Sequence, residues 1–197
     1  VSMSDASNGV AVGYSGKIVY TTNGGVDWTA ATTLGGIGGS HMNGVSMTDA
    51  SNGVAVGYYG KIIFTTNGGV DWTAATTTNT GGQVMHAVSM IDASNGVAVG
   101  NSGTIVFTTN GGVDWTAATT TNVGSTKMFG VSMSDASNGV AVGYSGKIVF
   151  TTNGGVVWTA ATTTNVGGNQ MRAVSMTDAS NGVAVGASGQ IVFTTNG

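Results

Sequence analysis

The chain contains no cysteine, no proline and no glutamate, and its one arginine is Arg172. Without cysteine there are no disulfides and no thiolate metal sites, and the redox state of the compartment leaves no mark. Without proline the turns depend on residues that tolerate positive φ, for which there are 35 glycines. Charge is scarce as well: five basic residues against eight aspartates give a formal net charge of −3 over 197 residues. That balance disfavours nucleic acid, whose binding needs a strongly basic surface to displace counterions. No apolar run approaches the length of a membrane span, and no Asn-x-Ser/Thr sequon occurs.

What the sequence does have is repetition. Residues 1–33 recur at 131–163 with two changes, Phe150 for Tyr20 and Val157 for Asp27. Units begin at Val1, Val45, Val88, Val131 and Val174, so residues 1–197 read as one repeat domain. Apolar residues recur in fixed register, which separates this Gly/Ser/Thr/Asn-rich chain from disordered low-complexity tracts.

The second unit shows the plan. Met42–Met47 is a short β run (strand A), followed by the turn Asp49-Ala50-Ser51-Asn52-Gly53. Val54–Tyr58 alternates large and small residues, as a strand between two surfaces would (strand B). Tyr59-Gly60 reads as a two-residue hairpin turn. Lys61–Thr66 is β-branched and aromatic (strand C), Asn67-Gly68-Gly69 turns again, and Asp71–Thr76 forms strand D. A Gly/Asn/Thr-rich loop then leads to the next unit. Four antiparallel strands per ~43 residues predict an all-β, five-bladed β-propeller. The fifth copy stops at Asn196-Gly197, so its blade is expected to lack the outer strand in this chain.

The C–D turn, Thr21-Thr22-Asn23-Gly24-Gly25-Val26-Asp27-Trp28, resembles the Asp-box of BNR-type propellers, Ser/Thr-x-Asp-x-Gly-x-x-Trp, with Asn in place of Asp. The motif residues are Asn23, Gly25 and Trp28, then Asn67, Gly69 and Trp72, then Asn110, Gly112 and Trp115, then Asn153, Gly155 and Trp158. With Gly-Val-Ala-Val-Gly and Ile-Val-Phe-Thr-Thr-Asn-Gly-Gly, all five units are most similar to the Ycf48/Hcf136-like propellers linked to photosystem II assembly. The resemblance implies a propeller whose box staples a hairpin and takes no part in catalysis. Sialidases share the box but need an arginine triad, a Tyr/Glu pair and an acid. With one Arg and no Glu, this chain lacks that inventory and the paired carboxylates of glycosidases. No enzyme activity, cofactor or metal is expected.

Strand reversal places the A–B and C–D turns on one face of the disc, and the B–C turns and D–A loops on the other. Every aspartate maps to the first face: Asp5, Asp49, Asp92, Asp135 and Asp178, with Asp27, Asp71 and Asp114. Every base maps to the second: Lys17, Lys61, Lys127, Lys147 and Arg172, with His41 and His86. The copies also differ there, at Tyr14, Tyr58 and Tyr144 beside the B–C turns and at Asn43 and Phe129 leading into strand A. Tyr14, Lys17, His41, Asn43, Tyr58, Lys61, His86, Lys127, Phe129, Tyr144, Lys147 and Arg172 are thus the candidate binding residues. The repeated Asp is expected to cap its own turn rather than hold Ca²⁺, the Trp to pack between blades, and the Met to fill core.

Three functions fit. The first is a structural or protein-interaction scaffold, assembling face to face or by strand complementation into a larger extracellular or cell-surface structure. The second is a lectin-like glycan-binding module on the basic, aromatic rim. The third, implied by the resemblance, is a photosystem assembly factor in a thylakoid-lumen-like compartment.

Overall fold

A computed structural model describes residues 1–163 and 166–196. It is all-β, with five blades in propeller order. Blade 1 contains β1 (Ser2–Met3), β2 (Gly9–Val12), β3 (Ile18–Thr21) and β4 (Thr29–Ala30). A short strand, β5 (Thr33–Leu34), follows it. Blade 2 contains β6 (Met42–Met47), β7 (Gly53–Gly57), β8 (Ile62–Thr65) and β9 (Asp71–Ala74). Blade 3 contains β10 (Met85–Met90), β11 (Gly96–Gly100), β12 (Ile105–Thr108) and β13 (Thr116–Ala117), and is followed by β14 (Thr119–Thr121). Blade 4 contains β15 (Met128–Met133), β16 (Gly139–Gly143), β17 (Ile148–Thr151) and β18 (Val157–Ala160). Blade 5 contains β19 (Met171–Met176), β20 (Gly182–Gly186) and β21 (Ile191–Thr194). Its three described strands match the expectation for the last blade.

Local chemistry explains the hairpins. At each B–C corner two successive residues take positive φ, Tyr59 at 57° and Gly60 at 66° in blade 2, and the Lys61 N–H donates to the Tyr58 carbonyl at 3.1 Å. This is a type I′ turn, whose twist suits a two-residue hairpin.

One feature departs from the predicted loops. After strand D the chain stays extended and runs parallel to the outer strand of the following blade. β5 pairs with β9 (Thr33↔Asp71, Leu34↔Trp72) and β14 pairs with β18 (Thr119↔Val157). A single bridge, Thr77↔Asp114, makes the same link to blade 3. Blades 2 and 4 are therefore five-stranded. The β-branched Thr-Thr pair after each strand D favours this extended course, and its partner is the free edge of a neighbouring sheet.

The core lies between blades. Trp72, Trp115 and Trp158 are fully buried, each against the preceding blade. Trp115, for example, packs with Val54, Val56 and Ile62 of blade 2 and with Met85, Ala98 and Val106 of blade 3. Hydrogen bonds repeat at the inner strands as well. The Met47 N–H donates to Ser2 Oγ at 3.0 Å, and Met90, Met133 and Met176 do likewise to Ser46, Ser89 and Ser132. Trp28 differs from its counterparts: it is 38% exposed, with no described blade packed against it on that side. On the far side, Val183, Val185 and Ile191 of blade 5 are exposed, whereas their counterparts Val54, Val56 and Ile62 are buried.

Candidate functional site

Hydrogen bonds between turns establish the two faces. The Gly24, Gly68, Gly111 and Gly154 N–H groups of the C–D turns donate at 2.8 Å to the Ser7, Ser51, Ser94 and Ser137 carbonyls of the A–B turns. On the opposite face the Tyr58, Asn101, Tyr144 and Ala187 N–H groups of the B–C turns donate to the carbonyls of His41, Val84, Lys127 and Gln170. Acids and bases are thus segregated as the strand directions predict.

The acidic face is built for its own stability. Asp5 Oδ1 accepts the Ser7 and Asn8 N–H groups at 2.7 and 2.8 Å, and Asn8 Nδ2 donates to Asp5 Oδ2 at 2.9 Å. The same arrangement recurs at Asp49, Asp92, Asp135 and Asp178. The carboxylates cap their own turns, as expected. The Asn side chain three residues on, together with the two backbone N–H groups, holds each of these carboxyls below the ordinary Asp value.

A folded-state pKa below the unfolded one stabilises the fold at pH values above the unfolded Asp value of ~3.9, and that stabilisation is lost as pH falls through the lowered folded values. The melting temperature is therefore expected to hold from neutral pH down to about pH 5 and to fall steeply below about pH 4. Asp92→Asn should remove one of the five contributions and flatten the curve in proportion, which calorimetry across that range would check. A curve that does not change would contradict this assignment.

The box is also internal. Gly69 N–H donates to Thr65 Oγ1, Asp71 N–H to Asn67 Oδ1 and Trp72 Nε1 to the Gly69 carbonyl, at 3.0, 2.9 and 3.0 Å. Where Val157 replaces the acid, its N–H still reaches Asn153 Oδ1 at 2.9 Å, so the turn keeps its shape. Asn therefore does the work of the motif's Asp, because the amide oxygen accepts the same N–H.

The basic face carries the varied residues, and the structure gathers most of them into two groups. The first spans blades 1 and 2. The His41 ring lies 4.4 Å from Tyr14 and 5.1 Å from Tyr58, edge to face, and Tyr59 stands 6.3 Å from Tyr58. His41 Nδ1 accepts the Ser15 N–H at 2.8 Å, so a neutral ring carries its proton on Nε2. Tyr14 is 79% and Tyr59 73% exposed, so both rings offer faces to solvent.

The second group follows the innermost strands from blade 2 to blade 5. Asn43, His86, Phe129 and Arg172 each follow the first Met of strand A, and the pairing register slips at each of them, between Met42 and Gly44 and at the three equivalent places. Such a bulge re-aims a side chain out of the sheet alternation. Asn43 Nδ2 donates to the Met85 carbonyl at 2.8 Å. The His86 ring is 5.4 Å from Phe129, and His86 Nε2 meets Asn101 Oδ1 at 2.8 Å. The Arg172 guanidinium lies 5.6 Å above the Phe129 ring, a cation–π contact. Neighbouring blades thus form one continuous line of donors, rings and positive charge.

The remaining candidates are placed around these groups. Lys17, Lys61 and Lys147 directly follow B–C turns, and Lys147 Nζ donates to the Asn122 carbonyl at 3.0 Å. The Lys127 carbonyl accepts the Tyr144 N–H at 2.8 Å, and the Tyr144 ring is about half exposed. Tyr59 and Asn101 join the groups although the turn pattern alone does not single them out. The signal for both was divergence between copies at the B–C corner. The bulges have no sequence signature beyond the Met that precedes them. Chemically, the face offers aromatic surfaces, a guanidinium and amide donors, which suit binding an extended or planar ligand.

The sequence pattern of the family described as photosynthesis system II assembly factor YCF48 matches residues 1–130. No curated protein matches the chain. Among solved structures, YCF48 bound to D1 peptide is similar at 21% identity and a TM-score of 0.72 over 98% of this chain. YCF48 from Cyanidioschyzon merolae is similar at 20% identity and 0.70 over 96%. This chain spans 61% and 66% of those two proteins. An ancestral GH74 enzyme has the same fold at 15% identity and 0.75, with 27% of its length covered.

Proposed function

Because the chain belongs to the photosynthesis system II assembly factor YCF48 family, we propose that it is a non-enzymatic scaffold that holds an extended polypeptide of a partner protein against its basic face. The observation that carries this reading is the line His86–Phe129–Arg172, three residues from consecutive blades in which Phe129 meets both of the others, each at a bulge. Rings bind flat side chains and peptide planes, and the guanidinium binds a carboxylate. A relative named for its bound D1 peptide supports a peptide as the ligand class. The GH74 likeness adds little toward an enzyme, since the aspartates lie on the face opposite the rim and glutamate is absent. Family membership also favours the lumen-like compartment over the extracellular or cell-surface one.

Fluorescence anisotropy with labelled D1 peptides tests this. Phe129→Ala and Arg172→Ala are each expected to weaken binding about tenfold, close to 1.4 kcal/mol. Asp178→Asn, on the far face, should leave binding unchanged. Exposed Tyr14 and Tyr58 also suit sugar stacking. Binding of oligosaccharides without peptide binding would replace this proposal with the lectin-like one.

A further inference from the structure

Tyr14, His41, Tyr58 and Tyr59 form an aromatic row apart from the His86–Phe129–Arg172 line. Tyr59 is its most informative member. The B–C corner requires positive φ, and Ser15, Ser102, Ser145 and Ser188 fill that place in the other blades at 54–57°. Tyr59 takes the same left-handed conformation at 57° while 73% exposed, so little packing offsets the cost of a bulky side chain there. An outlier of this kind, found where the fold gains nothing from it, points to a surface that meets a ligand. Blade 2 carries it between blades 1 and 3, within the described part of the disc.

Ring geometry sets what fits. Neighbouring rings cross at 62° (Tyr14 and His41), 89° (His41 and Tyr58) and 69° (Tyr58 and Tyr59). Such a row has ridges with slots between them, not the single flat platform on which a sugar ring stacks. Polar groups narrow the choice further. His41 Nδ1 accepts the Ser15 N–H, so Nε2–H is the group left to donate, and the tyrosine hydroxyls donate as well. Lys17 and Lys61 directly follow the two turns, whereas all eight aspartates map to the opposite face. The row therefore offers donors and positive charge without a carboxylate. A sugar hydroxyl both donates and accepts, but a proline run presents carbonyls and no N–H. In the polyproline II form those carbonyls have no partner within the helix, and such segments dock in aromatic-lined grooves.

We propose that this row is a binding site for a proline-rich segment of a partner polypeptide, in the polyproline II form, with acidic residues beside the prolines. Pyrrolidine rings enter the slots on either side of Tyr58. His41 Nε2 and the tyrosine hydroxyls donate to the segment's carbonyls, and Lys17 and Lys61 attract its acidic flank. Because the segment is extended before it binds, little conformational freedom is lost. The 197 residues contain no proline, so a second copy of them does not supply it. The site uses none of the His86–Phe129–Arg172 line and stands or falls apart from the function proposed for that line.

The probe is a labelled, glutamate-flanked oligoproline, titrated by fluorescence anisotropy. Saturable binding is expected, about tenfold or more tighter than for a peptide of the same charge whose prolines are replaced by alternating glycine and serine. Tyr59→Ser installs the residue that the other B–C corners carry at this φ, so the turn is kept, and it should weaken binding about tenfold. Replacing the glutamates with glutamine should weaken binding severalfold at low salt. Phe129→Ala, in the other group, should leave it unchanged. Equal binding of the two peptides, indifference to Tyr59→Ser, indifference to the glutamates, or loss of binding in Phe129→Ala would each overturn the proposal. So would oligosaccharide binding that Tyr59→Ser abolishes while the proline peptide fails to bind, since the row would then be a sugar site.

Discussion

Trp115→Ala is expected to lower stability by about 3–5 kcal/mol and the melting temperature by on the order of 10 °C. The indole is fully buried between blades 2 and 3, and its removal leaves a cavity faced by Val54, Val56, Ile62, Met85 and Val106. The Gly112 carbonyl also loses the 3.0 Å hydrogen bond from Nε1. Two effects therefore act in one direction, lost apolar contact and an acceptor stripped of its donor. Trp28→Ala is the internal control, since the same residue in the same motif is 38% exposed. Its cost should stay near 1 kcal/mol. Urea unfolding followed by circular dichroism separates the two. Equal losses would mean that the box hairpin, rather than the contact between blades, carries the energy.

The second large effect concerns a glycine whose backbone is ordinary. Gly57 has φ of −167°, an extended conformation open to any residue. Space is what restricts it: a Cβ there would lie 2.1 Å from the His41 carbonyl oxygen and 2.9 Å from Met42 Cα. Both neighbours are backbone, held by the strand pairing Met42↔Gly57. Gly57→Ala is expected to cost about 3 kcal/mol. It should also displace His41 from the Tyr14 and Tyr58 rings, weakening any ligand of the first aromatic group. Gly13 occupies the same position in blade 1, with φ of −169° and nothing within 4 Å of a built Cβ. Gly13→Ala should therefore fall within about 0.5 kcal/mol of the parent. A matched pair of melting curves decides this. Equal destabilisation would show that backbone entropy, not the approach of the next strand, selects glycine here.

These pairs of equivalent positions show why much of the fold was legible. Ile-Val-Phe-Thr has one preferred state, a strand, and Asn-Gly-Gly has one use, a turn. The strand recurs in five copies with small changes and Asn-Gly-Gly in four, so blade composition and strand order follow from local chemistry. The faces follow too, because antiparallel reversal is obligatory once the hairpins form. The extension after strand D was harder to see. Thr-Thr favours an extended chain, but only the nearby edge of the following blade makes it a strand. The bulges at Asn43, His86, Phe129 and Arg172 were invisible for a similar reason, since they are slips of pairing between two strands and neither strand records the slip.

By itself, the sequence determined the repeat, the strands, the turn chemistry and the segregation of aspartates from lysines, all of which depend on neighbours a few residues apart. Tertiary structure alone decided which equivalent residues have different surroundings. Trp28 and Trp115 are one letter in one motif, yet one is partly exposed and the other buried. It also decided that His86 and Arg172 each meet Phe129, although 43 residues separate each from the next along the chain. Local sequence sets what a residue can contact; the stacking of blades sets what stands beside it, and binding depends on the second.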